Sequence, residues 1–94
     1  MKVQLTKSDN SKYKFTVIIN GKKINFGAAG YSDYTIHHDP MRKKQYINRH
    51  QAREDWTNPL TAGFWSRWLL WNLPTIQQSI NDINRRFGIK FVPR

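Results

Sequence analysis

The sequence predicts an α+β domain, an N-terminal three-stranded antiparallel sheet packed on about three helices. Three observations carry that expectation. Residues 2–26 alternate apolar and polar side chains around an Asn20-Gly21 pair. Residues 39–87 contain three stretches of helical spacing, two of them opened by a capping residue. Residues 61–72 hold three of the four tryptophans, with Phe64, Leu69 and Leu70, enough to supply a shared core.

In the first strand, residues 2–7, Val3 and Leu5 lie on one side, and residues 8–11 form a polar turn. In residues 12–19 the apolar face is Tyr13, Phe15, Val17 and Ile19. Asn20 and Gly21 both tolerate the positive φ of a type I′ turn, so residues 22–26 return as a third strand. A two-residue turn sets the register: Ile19 opposite Lys22, Val17 opposite Ile24, Phe15 opposite Phe26. The other face then carries Lys12, Lys14, Thr16, Ile18, Lys23 and Asn25, polar and basic. Gly27-Ala28-Ala29-Gly30 lacks the Lys-Ser/Thr pair of a phosphate-cradling loop and reads as a connection. Residues 31–38 read as irregular or briefly extended.

Asp39-Pro40 is a helix start, Asp as N-cap and Pro in the first turn, and the helix is expected to run to about Arg53. Arg42, Tyr46, Arg49 and Arg53 then form one stripe. Two readings of that stripe are open: a phosphate-binding edge, or a solvated face paired with Glu54, Asp55 or Asp33. In residues 61–72, taken as an α-helix, Phe64, Trp68 and Trp71 share one face and Trp65 and Leu69 another. Such a helix belongs in a core or against a partner. Thr75 with Gln78 makes a capping box for a further helix, whose apolar face is Ile76, Ile80, Ile83 and Phe87. Gly88 after Arg85-Arg86 closes it. Residues 89–92 alternate like a short added strand.

The chain of 94 residues has the length of a single domain, residues 1–94. It has no cysteine and no apolar N-terminal run, so disulfides, thiolate metal sites, secretion and a membrane span are not expected. Sixteen Lys and Arg against six Asp and Glu give a net charge of +10, a field that attracts polyanions. Summed by thirds, residues 1–30 carry +5, residues 31–60 +1 and residues 61–94 +4. The charge is spread among periodic apolar residues, which predicts a folded basic domain and not a disordered arm.

Catalysis has little to work with. Adjacent His37 and His38 point to opposite sides of an extended segment, and His50 lies roughly 16 Å along the helix from Asp39 at the usual rise. No nucleophile elbow, zinc finger or aromatic RNA-binding motif is present. No enzyme, cofactor or metal is expected.

Gly30-Tyr31-Ser32-Asp33-Tyr34-Thr35, His37, Asp39-Pro40, Arg42, Tyr46, Arg49-His50, Arg53-Glu54 and Trp56, followed by the run from Ala62 to Asn72, Pro74-Thr75 and Arg86-Phe87-Gly88-Ile89, carry a resemblance. The chain resembles, over about residues 14–90, a family of short basic proteins encoded by large DNA viruses of eukaryotes, marseilleviruses among them. The resemblance implies a viral protein acting near DNA in the host cytoplasm, nucleus, viral factory or virion. It implies no activity and no residue-level role.

The expected function is non-enzymatic binding of double-stranded DNA with weak base selectivity, RNA being a variant of the same reading. The expected contacts are Lys12, Lys14 and Lys23 on the sheet, and Arg42, Tyr46, Arg49 and Arg53 on the helix. The alternative is an interaction protein. It uses Phe64, Trp65, Trp68, Leu69 and Trp71, otherwise core residues, to self-associate as a homo-oligomer or to engage a host partner. A peripheral membrane binder is a third class, although residues 61–72 have too little polar face for an interfacial helix.

Overall fold

The computed structural model describes residues 1–93. Asn20 and Gly21 both turn with positive φ, 51° and 79°, as a type I′ turn requires. The turn joins β2 (Tyr13–Ile19) to β3 (Lys22–Ala28) in the expected register, Phe15 opposite Phe26, Val17 opposite Ile24 and Ile19 opposite Lys22. β1 (Lys2–Lys7) pairs antiparallel with β2, Leu5 opposite Val17. One face of the three strands buries Val3, Val17, Ile19, Ile24 and Phe26. On the other, the Thr16 hydroxyl donates across the strands to Asn25 Oδ1 at 2.5 Å.

The sheet has four strands, the expected three of the meander and a fourth from the alternating segment 89–92. β4 (Lys90–Phe91) lies parallel to β1, giving the order β3-β2-β1-β4. Its placement follows from the turn before it. Gly88 ends the last helix in the left-handed region at φ 68°, which reverses the chain. Ile89 is then buried, and the Lys90 and Val92 amides donate to the carbonyls of Met1 and Val3 at 2.8 and 2.9 Å.

Residues 31–38 contain a helical turn where an irregular or briefly extended segment was expected. Asp33 begins α1 (Tyr34–His37) by accepting from the Thr35 amide, and His38 ends it at φ 54°. Asp39 caps α2 (Pro40–His50) by accepting from the Met41 and Arg42 amides. This helix stops short of Arg53. The amides of Arg53 and Glu54 both donate to the His50 carbonyl, so Arg53 sits in the following turn and not on the stripe.

The aromatic segment has the largest departure from an ideal α-helix. Thr61 caps α3 (Ala62–Trp65), which passes directly into a π-helical turn (Ser66–Leu70), and the Trp71 amide donates to the Ser66 carbonyl at 3.0 Å. A π-turn bonds residues five apart. The fully buried pairs accordingly fall five apart, Phe64 with Leu69 and Trp65 with Leu70. Trp68 and Trp71 are left at the two flanks, half-buried. Of the expected α-helical faces, Trp65 and Leu69 are indeed buried together and Phe64 and Trp68 both meet Phe87, but Trp71 leaves that face for Tyr46, because the extra residue in the turn shifts the phase.

Trp65 is the centre of the core. Its ring meets Phe26 of β3 and Phe91 of β4, with centroids 6.3 and 5.9 Å away, and its Nε1 donates to the Pro59 carbonyl at 2.8 Å. α4 (Ile76–Phe87) closes the other side, with Phe87 edge-on to Phe64 and Trp68. Buried Asp82 ties α4 to the aromatic segment by accepting from Asn72 Nδ2 at 2.7 Å, and it also binds Arg85 and Arg86. Burial pushes its carboxyl up, but the bonds from Asn72, Arg85 and Arg86 outweigh that and hold it below the ordinary carboxylate value.

Candidate functional site

α2 is attached to the core by one aromatic stack. Tyr46, 6% exposed, lies flat on Trp71 with centroids 4.5 Å apart and planes 2° from parallel. His50, one turn on, sits 4.4 Å from the Tyr46 ring. Burial, with the nearby Glu54 charge, pushes the Tyr46 phenol well above its ordinary value, so it stays neutral. Lys43 also turns inward. Its Nζ donates to the Asn72 carbonyl at 2.5 Å and lies over the Tyr34 ring. Burial, and the charge of Arg67, lower its pKa.

With these two side chains used for docking, Arg42, Gln45 and Arg49 form one wall of an open cleft of about 680 Å³. Lys14, Gly27 and Ala28 at the end of the hairpin, and Tyr31, Ser32 and Asp33 after it, form a second wall. Gly63, Ser66, Leu70 and Trp71 supply the rest. The hairpin end reaches this cleft because Gly27 takes φ 76° and packs so closely that a β-carbon there would fall 2.8 Å from Leu70 Cδ1.

The two carboxylates of the cleft are already engaged. Asp33, buried, accepts from Lys14 Nζ at 2.5 Å and from the amide and hydroxyl of Thr35. Glu54 accepts from Trp56 Nε1 at 2.7 Å and lies 3.4 Å from His50 Nδ1. Arg42 and Arg49 are exposed and, among the described residues, their side chains have no hydrogen bond or ion pair.

The residues expected to meet nucleic acid therefore divide. Arg42 and Arg49 line the cleft together. Tyr46 lines it from behind as a buried docking residue, and Lys14 lines it with its charge committed to Asp33. Arg53 is exposed in the turn after α2, outside the cleft. Lys12 and Lys23 are exposed on the hairpin. Lys23 borders a shallow depression of about 160 Å³ on the open sheet face, with Lys7, Thr16 and Asn25. Lys14 and Lys23 do not share a surface, since Lys14 lines the cleft and Lys23 the depression on the open sheet face.

Sequence reasoning gave Tyr31 no role, and it named Asp33 and Glu54 only as ion-pair partners for the arginine stripe, whereas they engage Lys14, Thr35, Trp56 and His50. Asp33 had a legible signal as a cap, since Asp-Tyr-Thr is a capping sequence.

The aromatic segment is inward-facing. Phe64, Trp65 and Leu69 are fully buried. The half-buried ring of Trp68 is covered by two guanidiniums, Arg67 at 4.4 Å and Arg86 at 4.7 Å. Among the described residues no three His, Asp or Glu side chains converge as metal ligands, and no helix is long and apolar enough to cross a membrane.

Comparison with known proteins gives one match. No curated protein and no solved structure matches the chain. A family of unknown function, DUF5754, matches residues 3–50, a span that runs from β1 to the last residue of α2 and includes Lys14, Asp33, Arg42 and Arg49. With half of its length matched, this chain belongs to the DUF5754 family.

Proposed function

We propose that the protein is a non-enzymatic domain that binds double-stranded DNA through its phosphates, with weak base selectivity. The observation that carries this reading is the number of uncommitted cations. Lys2, Lys7, Lys12, Lys22, Lys23, Arg42, Lys44, Arg49, Arg53 and Lys90 are all exposed, and none has an ion pair or hydrogen bond through its side chain among the described residues. The acids offset little of this, because Asp33 and Asp82 are buried in internal pairs and Glu54 is engaged by Trp56 and His50.

The cations lie on two surfaces, the exposed edge of α2 with its following turn, and the strands and turns of the sheet. Guanidiniums on a helix edge suit bidentate phosphate contacts, and lysines on an open sheet suit a diffuse field. The likeness of residues 14–90 to short basic proteins of large DNA viruses is in keeping with DNA as the polyanion, met in a host nucleus or viral factory. Association through the aromatic segment has less support, since its largest side chains are spent on the core.

The test is a mobility-shift titration on duplex DNA, duplex RNA and single strands over a range of salt. Neutralising about five phosphates gives a log–log slope of about −4 to −5 for duplex DNA. A slope shallower than about −2, or no binding at low salt, overturns the reading.

A further inference from the structure

The cleft beside α2 has the size of a small-molecule site. It is concave, and its volume of about 680 Å³ falls within the range of ligand sites, roughly 300–1,000 Å³. Its charge is arranged for an anion. Lys14 and Asp33 cancel, and Glu54 is held by Trp56 and His50. Arg42 and Arg49 remain, two turns apart on the same side of α2 and, among the described residues, without an ion pair or side-chain hydrogen bond. With His50 neutral, three cations and two carboxylates leave the cleft at +1.

The cleft also offers a flat apolar surface. Tyr31 lines it, is 74% exposed, and its ring makes no aromatic contact among the described residues. An exposed tyrosine and two guanidiniums lining one cleft offer a base a stacking surface and its phosphate two cations.

We propose that this cleft is a binding site for a nucleoside 5′-phosphate, with the phosphate on Arg42 and Arg49 and the base stacked on Tyr31. The same chemistry is presented by a free mononucleotide and by the 5′-phosphorylated end of a single strand. The inference does not require duplex binding, since the two arginines can hold a mononucleotide whether or not a duplex also uses them.

The test is an NMR titration of the full chain with adenosine 5′-monophosphate, with inorganic phosphate, with adenosine, and with a 5′-phosphorylated single-stranded trinucleotide. The expected result is saturable shifts at Tyr31, Arg42 and Arg49. Adenosine 5′-monophosphate should bind roughly tenfold more tightly than inorganic phosphate, as stacking on one aromatic ring supplies. Tyr31→Ala should erase that advantage while leaving phosphate binding unchanged. Arg42→Gln with Arg49→Gln should abolish both, and Lys23→Gln with Lys90→Gln should change neither. Tighter binding of the trinucleotide or of the mononucleotide supports the site in either case and names its source.

All of these side chains are exposed, so an unchanged melting temperature will separate binding loss from unfolding. Equal affinities for phosphate and adenosine 5′-monophosphate, absent shifts at the cleft, or equal weakening by the sheet pair would each overturn the proposal. A protein that shifts duplex DNA but gives none of the mononucleotide responses leaves the DNA reading standing and removes this one.

Discussion

Lys14 illustrates how one side chain changes meaning between sequence and structure. By alternation it belongs to the polar sheet face, yet its Nζ is 2.5 Å from the buried carboxylate of Asp33. Removing the cation leaves Asp33 buried without its charged partner, so Lys14→Gln should cost about 2–3 kcal/mol in a urea titration. Lys23→Gln, on the open face, should stay within about 0.5 kcal/mol.

His37 gives a second prediction at this scale. Its Nδ1 accepts from the Asp39 amide at 2.9 Å, which leaves the proton on Nε2, and Nε2 is buried without a hydrogen-bond partner among the described residues. Burial first, then the Arg42 charge, hold its pKa below the ordinary 6.5, against the opposing pull of Asp39 and Asp33. In the window between the lowered folded value and the unfolded 6.5 the unfolded chain binds more protons, so stability falls as pH drops through it. Above that window both states are neutral and this residue contributes no slope. Melting temperatures from pH 7.5 to 5.5 should decline for the wild type and decline less for His37→Asn, in which this titration is absent.

At the scale of elements, the aromatic segment decides stability. The π-turn places Trp65 at the centre, against Phe26 and Phe91, and moves Trp68 to a flank beneath Arg67 and Arg86. Trp65→Ala should cost about 3–5 kcal/mol, a large share of a small domain's total. Trp68→Ala should cost clearly less, because part of that ring already faces solvent and cations. Denaturant midpoints of the two variants check the order, and equal losses would mean that Trp68 shares the centre. The hairpin end depends on Gly27 in the same way. Its φ of 76° and the 2.8 Å approach to Leu70 leave no room for a methyl group, so Gly27→Ala should cost about 1–3 kcal/mol although it lies at a strand end.

For the whole molecule the question is whether the charge acts as a field or as an interface. Lys23→Gln with Lys90→Gln and Arg42→Gln with Arg49→Gln each remove two exposed, unpaired cations. A diffuse field predicts equal losses of duplex affinity, whereas a docked surface predicts unequal ones, since only contacting cations change the salt slope. The arginine pair is expected to lose more, with a slope shallower by about 2. A larger loss from the lysine pair would place the interface on the sheet.

Local chemistry was enough to determine the hairpin and its register, because Asn20-Gly21 and a period of two act between neighbours in the chain. It also determined the starts of α2 and α4, where Asp39 and Thr75 satisfy amides within the next three residues, and the net charge of +10. The tertiary structure decided what depends on residues far apart. It added β4 through amides bonded to Met1 and Val3, shifted the aromatic phase by a π-turn, buried Tyr46 on Trp71, and paired Lys14 with Asp33. The cleft belongs to this second group. Its walls come from the hairpin end, α2 and the aromatic segment, and no local rule of spacing brings those three together. Their meeting is set by which apolar faces must leave water, and that is a property of the packed molecule.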